Sequence, residues 1–358
     1  MKINKRVILM TPSLSKGGAE TQLLKLATHL QQQGDQVLVI ALKPINEFPD
    51  IDQLGLEVVF LKDWSKQPLG NIRKLYGTMK AFKPDVVIAF MFIAIIFARI
   101  IKTLLRFKLI STIRISVIQK KWYLPFKLTG NLDDAVVYNS RASQLVFESK
   151  NLARKRGSVI NNGIAIPEAA DLKTTNAGSP FKWVCVGHFR WNKDYQTLFR
   201  ALSILKDQHI TIDIIGELNG ETWPQQWIEE LGIQDRVNLL GFKPDTRQYL
   251  LAADAFVLAS HSEGMPNAIL EAMACEKMVV VTDIDGNNEL VSSANSGFLC
   301  RRNDENDLAQ KMLQTMNMDQ QERLHFARNG RKYIEEHFKQ EKVMKNWSEL
   351  IQEVTNNK

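Results

Sequence analysis

At 358 residues, 45% hydrophobic and 24% charged, the chain has the composition of a globular protein and the length of two domains. Its three cysteines, Cys185, Cys275 and Cys300, lie far apart with no metal-ligand spacing, which argues against a disulfide framework and fits a reducing cytoplasm. The net charge of +7 invites an anionic partner, but no zinc-finger spacing, RNA-binding sheet motif or interleaved aromatic repeat accompanies it, so nucleic acid is not expected.

Val7-Ile8-Leu9-Met10 reads as a first buried strand and is too short for the apolar core of a signal peptide. After a loop, Lys16-Gly17-Gly18-Ala19-Glu20 opens a helix whose Leu23, Leu24, Leu26, Ala27 and Leu30 recur at helical spacing until Gly34 ends it. A strand, a glycine turn and a helix N-terminus make a corner compatible with phosphate, although such a Gly-Gly pair can also serve only to pack helix on strand. It is neither a Walker loop nor a dinucleotide fingerprint. Further strands are predicted near 37–42, 58–61, 85–90, 109–113 and 135–138, with helical patterns between several of them, which means a parallel, doubly wound sheet. The longest apolar run, 86–98, stops at Arg99, short of the roughly 18 to 20 residues that a membrane span needs. Asp133-Asp134 reads as a solvated turn, Ser140 as a helix cap and Asn162-Gly163 as a plain turn.

From 167 the chain turns small and polar, and residues 169–180 read as a linker. A second alternating series follows, with strands at 183–187, 210–215, 237–240, 255–258 and 278–281. Two similar halves imply two Rossmann-like α/β domains, 1–168 and 181–340, facing a cleft. In the second, Gly187-His188-Phe189-Arg190-Trp191-Asn192-Lys193 leaves a strand and precedes a helix beginning near Asp194. Arg190 and Lys193 are therefore cations at the carboxyl end of a strand, where open α/β sheets bind ligands. The loops at Gly216-Glu217 and Gly241-Phe242-Lys243 end strands too; they either border a ligand or touch nothing.

After the strand at 255–258, Gly264 and Pro266 break regular structure, and Pro266 suits the first position of a helix running through Ile269, Ala272 and Met273. That helix N-terminus favours an anion, yet Glu263 stands in the loop and Glu271 one turn into the helix. Two carboxylates beside an anion site need another task, such as accepting hydrogen bonds from sugar hydroxyls. A sugar nucleotide meets both demands; for either residue alone, a solvated glutamate is the plain alternative.

Glu263-Gly264-Met265-Pro266-Asn267, followed by Glu271-Ala272-Met273-Ala274, resembles the signature of the GT4 family of retaining glycosyltransferases, whose fold is GT-B. Gly17-Gly18-Ala19-Glu20 resembles the family's loop over the donor diphosphate, and Asn161-Asn162-Gly163-Ile164 its Pro-Asn-Gly-Ile element, with Asn161 in place of Pro. The resemblance runs from Lys16 to Glu271. It implies that Glu263 faces the transferred sugar, Glu271 the ribose, and Lys193 and Arg190 the phosphates, with Gly17, Gly18, Gly264, Met265, Pro266 and Asn267 around the donor. His188 stands where the family usually has Arg, and Arg190 takes over that role. Arg114 follows the strand where many members have a His; it is a contact for acceptor or donor phosphates, or a surface arginine. The family also implies that the helix from 341 to 358 crosses back to the first domain.

The expected function is therefore that of a cytoplasmic retaining glycosyltransferase, moving a hexose or N-acetylhexosamine from a UDP or GDP sugar to a hydroxyl of a growing, lipid-linked cell-surface polysaccharide. A non-catalytic nucleotide-sugar-binding partner and a GT-B epimerase are the alternatives. No metal is expected, because Asp283-Ile284-Asp285, which matches the DxD of metal-dependent GT-A enzymes, sits in a strand-to-glycine loop. Between 86 and 132 stand Arg99, Lys102, Arg106, Lys108, Arg114, Lys120, Lys121 and Lys127 without an acid, together with Phe107, Trp122, Tyr123 and Leu124. That asymmetry predicts peripheral attachment to an anionic membrane at its inner face; a basic solvated surface over core elements is the alternative.

Overall fold

A computed structural model describes residues 4–115, 118–155, 157–168, 179–218 and 220–356. Contacts divide the chain into two units, Met1–Gly163 with Glu341–Lys358, and Ile164–Gln340. Most of the predicted linker, 169–178, lies outside the described residues.

The first unit runs β1 (Arg6–Thr11), α1 (Gly18–Gln32), β2 (Gln36–Ala41), β3 (Glu57–Phe60), α2 (Pro68–Phe82), β4 (Val86–Phe90), α3 (Phe92–Lys102), β5 (Lys108–Ile113), α4 (Tyr123–Thr129), β6 (Ala135–Tyr138), α5 (Arg141–Ser149) and β7 (Ser158–Val159). Its strands form one parallel sheet in the order β3-β2-β1-β4-β5-β6-β7. Because helices cover both faces, the central strands β1, β2 and β4 are near-continuous apolar runs. Val7 and Leu9 point to the side covered by α1, while Ile8 and Met10 point to the side covered by α2 to α5.

The second unit runs β8 (Phe181–Val186), α6 (Tyr195–Ile204), β9 (Ile210–Ile215), α7 (Trp223–Glu230), β10 (Val237–Gly241), α8 (Arg247–Ala252), β11 (Ala255–Leu258), α9 (Asn267–Ala274), β12 (Met278–Thr282), α10 (Asp285–Ala294), β13 (Gly297–Cys300), α11 (Glu305–Asn317) and α12 (Gln320–His337). Its parallel order is β10-β9-β8-β11-β12-β13. Strand order reverses between β8 and β11, so the loops leaving those two strands border the sheet's switch point. Both doubly wound sheets agree with the sequence pattern, whereas β7 and β13 were not anticipated.

The last helix, α13 (Gln340–Asn356), packs in the first unit. Val343, Met344, Trp347, Ile351 and Val354 enter the same core cluster as Val7 and Leu9. Trp347 stacks 6.5 Å from Phe90, and Lys5 Nζ donates to Thr355 Oγ1 at 2.6 Å.

Three expectations need correction. Asp133 is not in a solvated turn: it is buried and accepts from Arg99 Nε at 2.9 Å, Arg99 Nη2 at 2.6 Å and Ser111 Oγ at 2.7 Å. Arg99 is as buried as its partner, and Arg114 is buried too, so two members of the predicted basic surface belong to the interior. Pro266 precedes α9 as its N-cap, and Asn267 is the first helical residue. A shift of one position is within the spread of helix boundaries.

Candidate active site

The chain leaves β8 at Gly187 and makes a single 3-10 turn over Trp191–Lys193 before α6 starts. Asp194 joins turn and helix in the left-handed conformation, with φ 47° and ψ 49°. Its carboxylate caps α6, accepting from Thr197 N at 3.3 Å and Thr197 Oγ1 at 2.7 Å. These bonds are local compensation for the strained backbone.

The loop after β11 is stitched to this turn. His261 N donates to Asn192 O at 2.8 Å, and Asn192 Nδ2 donates to Ser262 O at 3.4 Å. Lys193 Nζ then meets Glu263 Oε1 at 2.7 Å, and Ser260 Oγ donates to the same oxygen at 2.8 Å. Both charged side chains are mostly buried, with 17% and 12% of their surface exposed. The cation predicted for the phosphate and the carboxylate predicted for the sugar thus hold each other.

Two glycines allow the close packing around these loops. A Cβ on Gly216, at the end of β9, would stand 1.8 Å from Gly187 O. A Cβ on Gly286, in the first turn of α10, would stand 2.6 Å from Gly264 O and 2.9 Å from Glu263 O. The α10 N-terminus therefore abuts the Glu263-Gly264 backbone, which any side chain there would push away. Tyr195 braces the base of the site by donating to Gly187 O, and burial raises its hydroxyl well above the usual range.

Gly264, Met265 and Pro266 are buried, and no side chain caps α9. Glu271, in the second turn of α9, accepts from Thr246 Oγ1 at 3.2 Å just before α8. Arg190 is exposed and, among the described residues, makes no ion pair; its backbone N–H donates to His188 O at 2.8 Å. His188 accepts from Glu217 N at its Nδ1 at 3.1 Å, which puts the proton of the neutral ring on Nε2. Its ring stacks on Phe242 at 6.2 Å, so the two glycine-ended loops of uncertain purpose both fix His188.

Gly17 and Gly18 lie in the first unit, at the carboxyl end of β1, where Gly17 is the N-cap of α1 and accepts from Thr21 Oγ1 at 2.9 Å. At the end of β5, Arg114 lies over Phe90 and Trp347, with its guanidinium carbon 5.1 and 5.6 Å from the ring centroids. Arg114 Nη1 donates to Asn162 Oδ1 at 3.0 Å, and burial pushes the guanidinium down to about 9. It is not a surface arginine. Nor is Asn162-Gly163 a plain turn: Gln22 Nε2 donates to Gly163 O at 3.0 Å, and Gly163 N donates to Gln22 Oε1 at 2.8 Å.

Sequence reasoning missed Ser260, Asp194, Thr246 and Gln22. Ser260 carried the one available signal, a hydroxyl three residues before the key glutamate. Asp283 accepts from Asn288 Nδ2 at 2.7 Å and Asp285 begins α10. Among the described residues, no three His, Cys, Asp or Glu side chains are gathered as a metal site would gather them.

Residues 16–166 match the model of glycosyltransferase family 4 and residues 169–333 that of glycosyl transferases group 1. The chain is 31% identical over 140 residues to a Campylobacter jejuni N,N'-diacetylbacillosaminyl-diphospho-undecaprenol alpha-1,3-N-acetylgalactosaminyltransferase, covering 39% of this chain and 36% of that one. It is 32% identical over 162 residues to an Escherichia coli UDP-Gal:alpha-D-GlcNAc-diphosphoundecaprenol alpha-1,3-galactosyltransferase, covering 41% and 42%. Its matches therefore span less than half the length of these two relatives. Among solved structures, Anabaena Alr3699/HepE in complex with UDP and glucose superposes with a TM-score of 0.84 at 22% identity, covering 98% of this chain and 100% of that one.

Proposed function

We propose, because the chain belongs to the GT4-type glycosyltransferases and has their GT-B fold, that it moves a hexose or N-acetylhexosamine from a UDP sugar to a hydroxyl of a lipid-linked glycan, with retention of configuration. The observation that carries this is the Lys193–Glu263–Ser260 cluster at the switch point of the second sheet, with Glu271 on the helix that follows. A bound diphosphate gives Lys193 a second anionic partner. Glu263, already held by Ser260, then accepts from the hydroxyls of the transferred sugar.

Bond cleavage adds negative charge to the departing UDP, and a cation fixed beside it stabilises that charge more in the transition state than in the ground state. Lys193 takes this role, with Arg190 beside it at the loop surface and His188 Nε2–H as a neutral donor. The departing phosphate oxygen takes the acceptor's proton on the same face of the sugar, which accounts for retention. Glu263 positions the donor, and Glu271 holds the ribose. Cationic side chains and helix ends suffice for the diphosphate, so activity persists in excess EDTA.

The two relatives above are named for undecaprenol-linked acceptors, which supports a lipid-linked acceptor here. No helix among the described residues is long and apolar enough to cross a membrane, and we place the enzyme in the cytoplasm, held peripherally on the inner face. The test is transfer from a panel of UDP and GDP sugars to a lipid-diphosphate-linked monosaccharide, read by mass spectrometry with and without EDTA. Thermal stabilisation by a nucleotide sugar without transfer or hydrolysis would leave a binding protein, and an isomerised free UDP sugar would reveal an epimerase.

A further inference from the structure

In the first unit, β1, β4, β5 and β6 begin side by side where α2 and α3 end, at the opposite end of the sheet from the loops that follow β1 and β5. A cavity of about 790 Å³ opens there. Six cations line it: Arg6, Lys80, Lys83, Lys102, Arg106 and Lys108. Two carboxylates line it as well, Asp85 at 3.6 Å from Arg6, and Asp134 paired with Lys102. Six against two leaves four positive charges around one cavity, whose inner wall is the buried Met79 and Phe107. Such a surplus repels itself, and a bound anion relieves it.

Lys83 adds an independent sign. It ends α2 in the left-handed conformation, at φ 51° and ψ 62°, where glycine is the usual residue. A lysine there costs backbone strain, and strain of this kind gathers at functional positions.

The neighbouring surface is apolar. α3 buries Ala94, Ile95 and Ala98 and packs Ile93 and Ile96 partly against the same core, but it also turns Ile100 to the outside in place of a polar residue. Ile100 is 51% exposed, Leu104 just beyond the helix 67%, and Leu128 on α4 70%. Of the twelve Lys and Arg residues from 68 to 132, Arg99 and Arg114 are interior, which leaves ten nearer the surface against a single acid, Asp85. Exposed aliphatic side chains next to a surplus of cations match the boundary between headgroups and acyl chains of an anionic bilayer.

We infer that this cavity is a headgroup site, in which the phosphate of an anionic phospholipid is held by the cations at the strand starts while Ile100, Leu104 and Leu128 enter the acyl boundary. Free phosphate compounds share the anionic chemistry, but the apolar border selects the lipid. The site rests on the membrane attachment proposed above and deepens it by naming the surface; it does not depend on the transfer reaction.

The test is sedimentation of the full chain with phosphatidylcholine vesicles, with and without phosphatidylglycerol, and in the presence of inorganic pyrophosphate. Binding should require phosphatidylglycerol and fade in high salt. Each cation removed should weaken binding about fivefold, so Lys80→Gln with Arg106→Gln should weaken it roughly thirtyfold. Lys83→Gly removes a cation while relaxing the backbone, so it should bind about fivefold more weakly with an unchanged or raised melting temperature. Leu104→Gln should also weaken binding. Equal binding to neutral vesicles, or unimpaired binding by Lys83→Gly and the double variant, would overturn the site. Tight pyrophosphate binding together with vesicle binding indifferent to Leu104→Gln would show a site for free anions and likewise overturn it. Transfer to a short, water-soluble acceptor is expected to survive these substitutions, so loss of the headgroup site and loss of the transferase function are told apart.

Discussion

Replacing Lys193 by Met, Glu263 by Gln, and both together should expose the dual duty of this pair. At 2.7 Å the two charges attract by about 6 kcal/mol if the local dielectric constant is about 20. Taking both largely out of water offsets much of that, leaving a coupling of roughly 2 kcal/mol. Lys193→Met should therefore destabilise the second unit by about 2 to 3 kcal/mol, since it strips a mostly buried Glu263, held also by the Ser260 hydroxyl, of its cation. The double variant should recover most of the loss. Denaturant unfolding of the four proteins gives the coupling energy directly, taken from the transition of the second unit because two units need not unfold together. UDP affinity should move differently. Glu263→Gln frees the ammonium and should bind UDP as tightly as wild type or more so, with turnover much reduced. Lys193→Met should weaken UDP binding and lose about 3 kcal/mol of transition-state stabilisation, a factor of roughly one hundred or more in rate. A coupling below about 0.3 kcal/mol, or calorimetric UDP affinity unchanged in Lys193→Met, would refute the assignment.

Glu271→Gln should weaken UDP binding by about 1 to 2 kcal/mol through loss of a charged acceptor for the ribose, with kcat for saturating donor nearly unchanged; calorimetry and kinetics together check this. Gly286→Ala places a methyl 2.6 Å from Gly264 O and should shift the Glu263 loop, lowering kcat/KM at least tenfold for a cost of about 1 to 3 kcal/mol in stability. Asp133→Ala strips a buried arginine of its partner and should cost about 3 to 5 kcal/mol in unfolding of the first unit, without altering UDP affinity. Burial pushes the Cys185 and Cys300 thiols up to about 12 and Cys275 to about 11, from a usual value near 9. The folded chain therefore keeps protons that the unfolded chain gives up: stability is undiminished below pH 9 and falls as the pH rises from 9 toward 12, which urea titrations at pH 8, 9.5 and 10.5 would show.

The central strands were readable because they are buried on both faces and so leave an apolar run, as in Val7-Ile8-Leu9-Met10. β7 and β13 escaped notice for the opposite reason: Ser158–Val159 is too short, and Gly297–Cys300 opens on a glycine. The site residues stood out through spacing within one loop and one helix. Their partners did not, since Lys193 and Glu263 are separated by 70 positions and Arg99 and Asp133 by 34, and charge pairing over such distances leaves no local periodicity. The basic stretch from 86 to 132 overstates the surface charge for the same reason. Arg99 and Arg114 count as surface charge in a composition, yet one is neutralised by an aspartate beyond the stretch and the other is covered by a tryptophan more than two hundred residues on.

α13 belongs to the sheet that the first strand begins, so the first unit is assembled from both sides of an uninterrupted second one. On a ribosome the second unit emerges whole and can finish folding while the first still lacks Trp347, Ile351 and Val354 and exposes the groove beside Val7 and Leu9 that they fill. β1 thus waits for α13. A nonsense codon just after Gln340 would leave the second unit complete and unravel the first, which lies upstream of it.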